Sequence, residues 1–327
     1  ESAYGNFRGL LKREFIKSYS HDSALFNNLL QIGTVKTVLI DYEEINNEKI
    51  VTVTDLNITD RQKKPIVKDT DETLDKIIKD KCSVSRFGDG EFSLIYGESL
   101  KFQPKNDELS RRLKDVLKSN EENHIVCIPN VFEEMEWATD KAKKYWIKYL
   151  NLNRGKIYKI LDKNKEYYDT QVTRLYIDLK DKEKVRNRFE KIKLLWKDRK
   201  IVIVEGEKSR LGVGNDLFDS AISIERIICP SVNAYLMYEE IFKEITKQDK
   251  SKLILIALGP TATVLAYDLS KAGYQAIDIG HIDIEYEWFL QGVINKCPVK
   301  NKYIGEINNG DKVEDLINPI YEGQIKK

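Results

Sequence analysis

Five largely apolar runs of strand length punctuate this chain: Ile125–Ile128, Ile201–Val204, Ile224–Ile228, Leu253–Leu258 and Ala276–Ile279. A strand with one wet face alternates polar and apolar residues, so near-continuous runs mark strands buried on both faces. Helix-like stretches, among them Asn233–Thr246 and Thr261–Lys271, lie between the last four runs. Strands separated by helices predict an α/β fold: a Rossmann-like, mostly parallel sheet flanked by helices. A more helical, aromatic stretch near Glu133–Trp196 reads as an insertion.

Upstream, Thr70-Asp71-Glu72 precedes Leu74, Ile77 and Ile78 at helical spacing, which marks a helix start. The polar run Asp60-Arg61-Gln62-Lys63-Lys64-Pro65 ahead of it is the best boundary. Residues 1–68 are therefore expected to form an N-terminal extension, and residues 69–327 the main domain. The extension carries an amphipathic stretch around Leu10–Leu30 and a β-prone segment around Lys36–Val53.

Lysine plus arginine (54) nearly cancels aspartate plus glutamate (53), which removes the usual electrostatic case for a nucleic-acid partner. Cys82, Cys127, Cys229 and Cys297 form no C-x-x-C pair, and Cys127 and Cys229 sit in apolar strand-like runs. A reduced, cytoplasmic protein is expected from that usage. No apolar run approaches the roughly 18–20 residues of a membrane span, and no signal-peptide pattern opens the sequence.

In open α/β sheets ligands bind beyond the carboxyl ends of the strands, so the turns there are the places to search. The first is Val84-Ser85-Arg86-Phe87-Gly88-Asp89-Gly90-Glu91-Phe92. Asp89 and Glu91 offer oxygen ligands for Mg²⁺ or Mn²⁺, and Arg86 is placed to pair with a phosphate or hold one carboxylate. A polar surface turn is the competing reading, since Asp-Gly is a common turn.

The second is Val204 to Asp216, where a strand leads into a glycine-rich loop and a helix expected to begin near Asn215. Backbone N–H groups around Gly212, Gly214 and Asn215, with Lys208 or Arg210, would cradle a phosphate. The dinucleotide fingerprint is incomplete, because Leu217 holds the third glycine position. An ordinary glycine-rich connection explains the loop equally well. The third is Gly259-Pro260-Thr261-Ala262-Thr263, where proline suits a first helical turn and the threonines can cap it or meet a phosphate.

The fourth is Asp278 to Trp288. His281, Asp283, Glu285 and Glu287 alternate with Ile282, Ile284 and Tyr286. An extended segment would gather the polar set on one face, whereas a helix would separate it. On the extended reading one of these groups completes a metal site and another deprotonates an acceptor hydroxyl. A structural histidine beside a solvated acidic face is the alternative.

The run Ser85-Arg86-Phe87-Gly88-Asp89-Gly90-Glu91-Phe92 resembles the Asp-x-Glu signature of the GT-D-fold glycosyltransferases, bacterial enzymes grouped as the DUF1792 domain. The likeness extends in order through Ile201–Asp219, Leu253–Leu269 and Ile277–Phe289, so it covers roughly Thr70 to Gly292. The resemblance implies a Rossmann-like fold, a UDP-sugar donor, and a divalent cation, usually Mn²⁺. It also implies a glycan or glycoprotein acceptor in surface polysaccharide or adhesin glycosylation. A peripheral place on a membrane-associated glycan-assembly complex follows from that role. Carried over by motif, Asp89 and Glu91 look like the metal and diphosphate site. Arg86, Arg210, Gly212, Gly214, Asn215, Gly259, Pro260, Thr261 and His281 are the expected donor contacts; a catalytic base among Asp283, Glu285 and Glu287 is inferred from the residues themselves and not from the resemblance. The rivals are a nucleotide-dependent hydrolase or phosphotransferase, and a non-catalytic nucleotide-sugar-binding module. A NAD-dependent oxidoreductase is disfavoured by the broken glycine fingerprint.

Overall fold

A computed structural model describes the backbone of residues 38–45, 48–55 and 64–326, with side chains from residue 64 onward. The chain divides into two compact units, Glu1–Lys64 with Ala138–Lys163, and Pro65–Trp137 with Asn164–Lys327. The described part of the first unit is an antiparallel hairpin, β1 (Val38–Ile45) and β2 (Glu48–Asp55), and a helix, Asp140–Ile160. The hairpin falls on the segment expected to be β-prone, and the Leu10–Leu30 stretch lies outside the described residues.

The second unit holds an eight-stranded sheet. Its strands are β3 (Ile66–Val67), β4 (Ser83–Arg86), β5 (His124–Ile128), β6 (Glu166–Asp169), β7 (Lys200–Gly206), β8 (Ser223–Cys229), β9 (Leu253–Ala257) and β10 (Gln275–Asp278). They are all parallel, in the order β3-β6-β5-β4-β10-β9-β7-β8. Ile201–Val204 of β7 and Leu253–Ile256 of β9 are wholly buried, which explains why these strands read as unbroken apolar runs.

The connecting helices are α1 (Thr70–Asp80), α2 (Asp89–Ile95), α3 (Asp107–Lys118), α4 (the Asp140–Ile160 helix of the first unit), α5 (Val185–Lys193), α6 (Tyr238–Thr246), α7 (Pro260–Lys271), α8 (Ile282–Gln291) and α9 (Pro319–Gln324). Helix α1 starts where its sequence signals do. Asp69 accepts from the Glu72 amide at 2.8 Å and Glu72 accepts from the Asp69 amide at 3.0 Å, a reciprocal cap. One sheet face, with Val84, Ile125, Ile203, Leu255 and Ile277, joins Leu74 of α1, Phe189 of α5 and Trp288 of α8 in a single apolar cluster. Helix α7 packs along β4 and β10 from the side of Ser85, whose hydroxyl donates to the Thr263 carbonyl at 2.6 Å.

Two expectations are corrected. Residues 282–291 form a helix and not an extended segment. That helix is buried on several sides, with Ile282, Asp283, Ile284, Glu285, Tyr286 and Trp288 all inside, so no polar stripe discloses its period. Nor does a helix begin near Asn215, where residues 211–220 form turns. The Asn215 side-chain oxygen accepts from the Leu217 amide at 3.0 Å, a local bond that competes with helix formation.

Candidate active site

Three neighbouring clusters occupy the carboxyl ends of the strands. The first surrounds the turn between β4 and α2. Gly88 is the N-cap of α2, and its amide donates to the Glu91 carboxylate at 2.6 Å. Asp89 and Glu91 thus share the first turn of one helix, both half-buried. Burial pushes the Glu91 carboxyl up to about 7, with the charges of Asp278 and Asp89 adding to the shift.

Arg86 ends β4 and reaches the adjacent strand end, where its NH1 lies 3.7 Å from Asp278. That NH1 is buried and has no hydrogen-bond acceptor. Its approach needs a glycine opposite: Gly280 has φ +44°, and a Cβ there would stand 2.0 Å from NH1. Burial raises Asp278 to about 6 against the pull of Arg86 and of the Gly280 amide, which donates to it at 3.1 Å. The Thr263 hydroxyl donates to the Arg86 carbonyl at 2.9 Å and fixes the first turn of α7 beside this cluster. In the same turn, Thr261 is fully buried and its hydroxyl has no partner.

The second cluster centres on His281 and Arg174. The ring of His281 lies 3.1 Å from Glu306 through Nε2 and 3.3 Å from Arg174 through Nδ1. Burial lowers its pKa to about 4, so the ring is neutral and donates through Nε2 to Glu306. Arg174 also pairs with Glu306 and stands 3.8 Å from Glu285. Glu285 has no exposed surface, and it accepts from the amides of Tyr176 and Ile177 at 2.9 and 2.8 Å.

The third cluster ties the glycine-rich loop to α8. Asp283 accepts from the Gly212 amide and the Asn215 side-chain amide, both at 2.8 Å, and from Lys302 at 2.7 and 2.9 Å. Glu287, one turn on, accepts from Asn215 at 2.7 Å and from Lys302 at 2.9 Å. Arg210 points into the fold, its NH1 donating to the carbonyls of Asn301 and Glu314 at 2.9 and 3.0 Å. Gly214 lies between these anchors with φ +87°.

The structure therefore brings Arg86, Asp89 and Glu91 together, with Gly259, Pro260 and Thr261 on the neighbouring helix turn. It divides the expected acids of α8 between the other two clusters. Asp278, Arg174, Glu306 and Lys302 complete the candidate site; Asp278 opened the fourth turn read from the sequence but was given no role, and the other three were not singled out. Asp278 had a signal, as an acid ending a strand-like run. The other three lie in segments whose proximity only the fold creates.

The family model described as glycosyltransferase GT-D fold matches residues 84–307, which takes in all three clusters. This chain belongs to the GT-D-fold glycosyltransferase family. It is 42% identical over 260 residues to Glycosyltransferase GlyD of Streptococcus pneumoniae serotype 4, covering 79% of this chain and 32% of that protein. Over 256 residues it is 42% identical to the probable glycosyl transferase Gly of Streptococcus gordonii, covering 78% of this chain and 37% of that protein. The chain thus spans about a third of the length of these relatives. Among solved structures, a domain of unknown function 1792 reported to have a distinct glycosyltransferase fold superposes with a TM-score of 0.79 at 40% identity, over 83% of this chain and 98% of that one. A DUF1792 glycosyltransferase from Streptococcus sanguinis gives 0.77 at 42% identity, over 80% and 98%. In this family fold the described residues contain no helix long and apolar enough to cross a membrane.

Among the described residues no group of three or more histidines, cysteines, aspartates or glutamates is gathered around one point. The donor set at Asp89 and Glu91 still fits a hard divalent cation. Mg²⁺-type sites use one or two carboxylates and take the remaining ligands from substrate phosphates and water. Burial and the neighbouring acids raise the Glu91 carboxyl, a crowding that a cation would offset.

Proposed function

We propose that this chain is a metal-dependent hexosyltransferase that takes its sugar from a UDP-linked donor and delivers it to a glycan or glycoprotein acceptor. Surface polysaccharide or adhesin glycosylation is the setting. The observation that carries this reading is the buried NH1 of Arg86, which has no hydrogen-bond acceptor, at the strand end that leads into the carboxylate pair of α2. A cationic donor without a hydrogen-bond acceptor, close in sequence to candidate cation ligands, suits a diphosphate, which would satisfy both.

In this reading Arg86 binds a diphosphate oxygen, and the first turn of α7 at Gly259-Pro260-Thr261 lends its amides and the Thr261 hydroxyl. Asp89 and Glu91 would hold Mn²⁺ or Mg²⁺, which would supply neutralisation of the charge that develops on the departing nucleotide. Asp283 and Glu287 act as positioning residues for the Gly212–Asn215 loop, and Glu285 positions the Arg174–Ile177 segment. His281, neutral between Arg174 and Glu306, keeps that charged pair aligned beside Arg86.

The test is calorimetric titration of UDP into the full chain with Mn²⁺ and with EDTA, alongside ADP, GDP and NAD. Metal-dependent binding selective for UDP is expected. Asp89→Asn should abolish sugar transfer at saturating Mn²⁺ without lowering the unfolding midpoint. Absence of UDP binding in both conditions, or full activity of the variant, refutes the assignment.

A further inference from the structure

We propose that a cleft on the carboxyl face of the sheet, apart from the Arg86 cluster, is the acceptor subsite, taking one neutral sugar residue of a saccharide chain; this rests on the transferase reading above. The cleft measures about 200 Å³. That is below the roughly 300–1,000 Å³ that encloses a drug-sized ligand, and it suits a single sugar whose remainder stays in solvent.

Its place follows from the topology. Glu207 and Lys208, which follow β7, and Ser231 and Val232, which follow β8, form one side. Strands β7 and β9 are neighbours, yet β7 runs on outward to β8 while β9 runs back to β10. Connections that leave in opposite directions open a crevice at the carboxyl edge. The Asp89–Glu91 turn follows β4, three positions from β7 in the sheet. At about 4.8 Å per strand, the two sites stand about 14 Å apart across the face.

One segment links them. The loop after α2 starts beside the carboxylate turn, where Leu100 packs against Gly90. Phe102 then lies over Gly259 at the end of β9, so close that a Cβ on Gly259 would meet the ring at 2.9 Å. The Phe102 carbonyl accepts from the Asn233 amide at 2.7 Å, and Gln103 donates to the Asn233 side chain at 2.8 Å, which pins the loop beyond β8. Phe102 is therefore a wall of the cleft whose back rests on the helix turn assigned to the donor.

The lining separates the two sites chemically. Lys101 and Lys208 balance Glu207 and Asp311, so the cleft carries no net charge to draw a nucleotide diphosphate. The rings of Phe102 and Tyr303 offer faces for the C–H side of a sugar, and the carboxylates accept from its hydroxyls. The Arg86 cluster holds a different combination, a buried cationic donor without a hydrogen-bond acceptor. A transferase needs both kinds of place.

The experiment is saturation-transfer difference NMR of methyl β-glucoside and methyl β-N-acetylglucosaminide at millimolar concentration on the full chain. Spectra are taken with and without Mn²⁺ and saturating UDP, for wild type, Tyr303→Ala and Glu207→Gln. Glycoside signals should persist when UDP is bound and fall at least fivefold in both variants, while the UDP Kd changes less than twofold. Displacement of the glycoside by UDP, or a larger loss of UDP than of glycoside affinity, would make the cleft a nucleotide site and overturn the proposal. Wild-type signals that are absent, or that survive both substitutions, overturn it too. Glu207→Gln keeps the measurement decisive should Tyr303→Ala fail to fold. Failure of UDP to bind at all would instead refute the transferase reading, and the glycoside spectra still report on the cleft.

Discussion

Replacing Lys302 with methionine keeps the length of its side chain and removes its charge from a place where two carboxylates converge. Lys302 and Asp283 side chains are each 2% exposed, and Glu287 is 13% exposed. The ammonium meets Asp283 at 2.7 and 2.9 Å and Glu287 at 2.9 Å, so its donors are fully used. With the lysine, the cluster carries one net negative charge; without it, two buried carboxylates share only the Gly212 and Asn215 amides. Breaking a buried pair by removing one partner costs about 3–5 kcal/mol. At roughly 2–4 °C per kcal/mol for a domain of this size, the unfolding midpoint should drop by about 10 °C. Tryptophan fluorescence reads it directly, since Trp288 is buried in α8 and the Trp196 indole donates to Leu217 at the end of the loop at 2.8 Å. Adding Asp283→Asn to Lys302→Met should recover at least half of the loss, because the amide oxygen still accepts from Gly212 while the excess charge is gone. A single-variant loss below about 1 kcal/mol, the range of solvent-screened pairs, would refute the buried network. A double variant worse than the sum of the two singles would refute the charge argument.

Two further outcomes follow from the Arg86 cluster. Gly280→Ala should fold but lower donor turnover on the order of a hundredfold, because its Cβ would stand 2.0 Å from Arg86 NH1 and displace the guanidinium; normal turnover in that variant would free Arg86 from any role with the donor. Glu91 gives a pH signature: its carboxyl is held at about 7 when folded, against 4.5 ordinarily. Between those values the folded chain binds more protons than the unfolded one, so its contribution to stability is largest below the ordinary value and declines as pH rises through the window. Binding Mn²⁺ removes that penalty, so the midpoint gained with Mn²⁺ over EDTA should grow from about pH 5 to about pH 8, and Glu91→Gln should flatten the trend. A gain independent of pH in the parent chain refutes Glu91 as a ligand.

The parallel sheet was legible because β7, β9 and β10 are buried on both faces and therefore spell themselves as apolar runs. Strand β6 was not, since Glu166-Tyr167-Tyr168-Asp169 mixes charge with aromatic rings and lay within the stretch expected to be a helical insertion. Its place in the sheet comes from pairing with β5, a non-local contact. The Asp89–Glu91 turn was readable from glycine placement at a strand end. The acids of α8 misled because alternation in a helix buried on several sides imitates a strand. Lys302 and Arg174 left no local trace at all, for their partners lie far away in the chain.

What separates a positioning carboxylate from one that meets a ligand is how much of its demand the protein already meets. Asp283 collects an amide, a side-chain amide and an ammonium, and such a carboxylate has little to gain from a cation. Glu285 spends one oxygen on two amides and faces Arg174 with the other. Burial raises Glu285 to about 7 as it does Glu91, but Glu285 has the Arg174 guanidinium as its charge partner, whereas the charges beside Glu91 at the α2 turn are acids. Glu91 receives one amide and sits near two further acids that raise it, while Arg86 holds a buried N–H with no acceptor. Arg86 NH1 and Asp278 already attract one another at 3.7 Å, so what the guanidinium lacks is a hydrogen-bond acceptor and not a counter-charge. In the proposed reading a diphosphate with its cation would supply that acceptor and offset the acids around Glu91, which favours this turn over the better-satisfied glycine-rich loop for the donor.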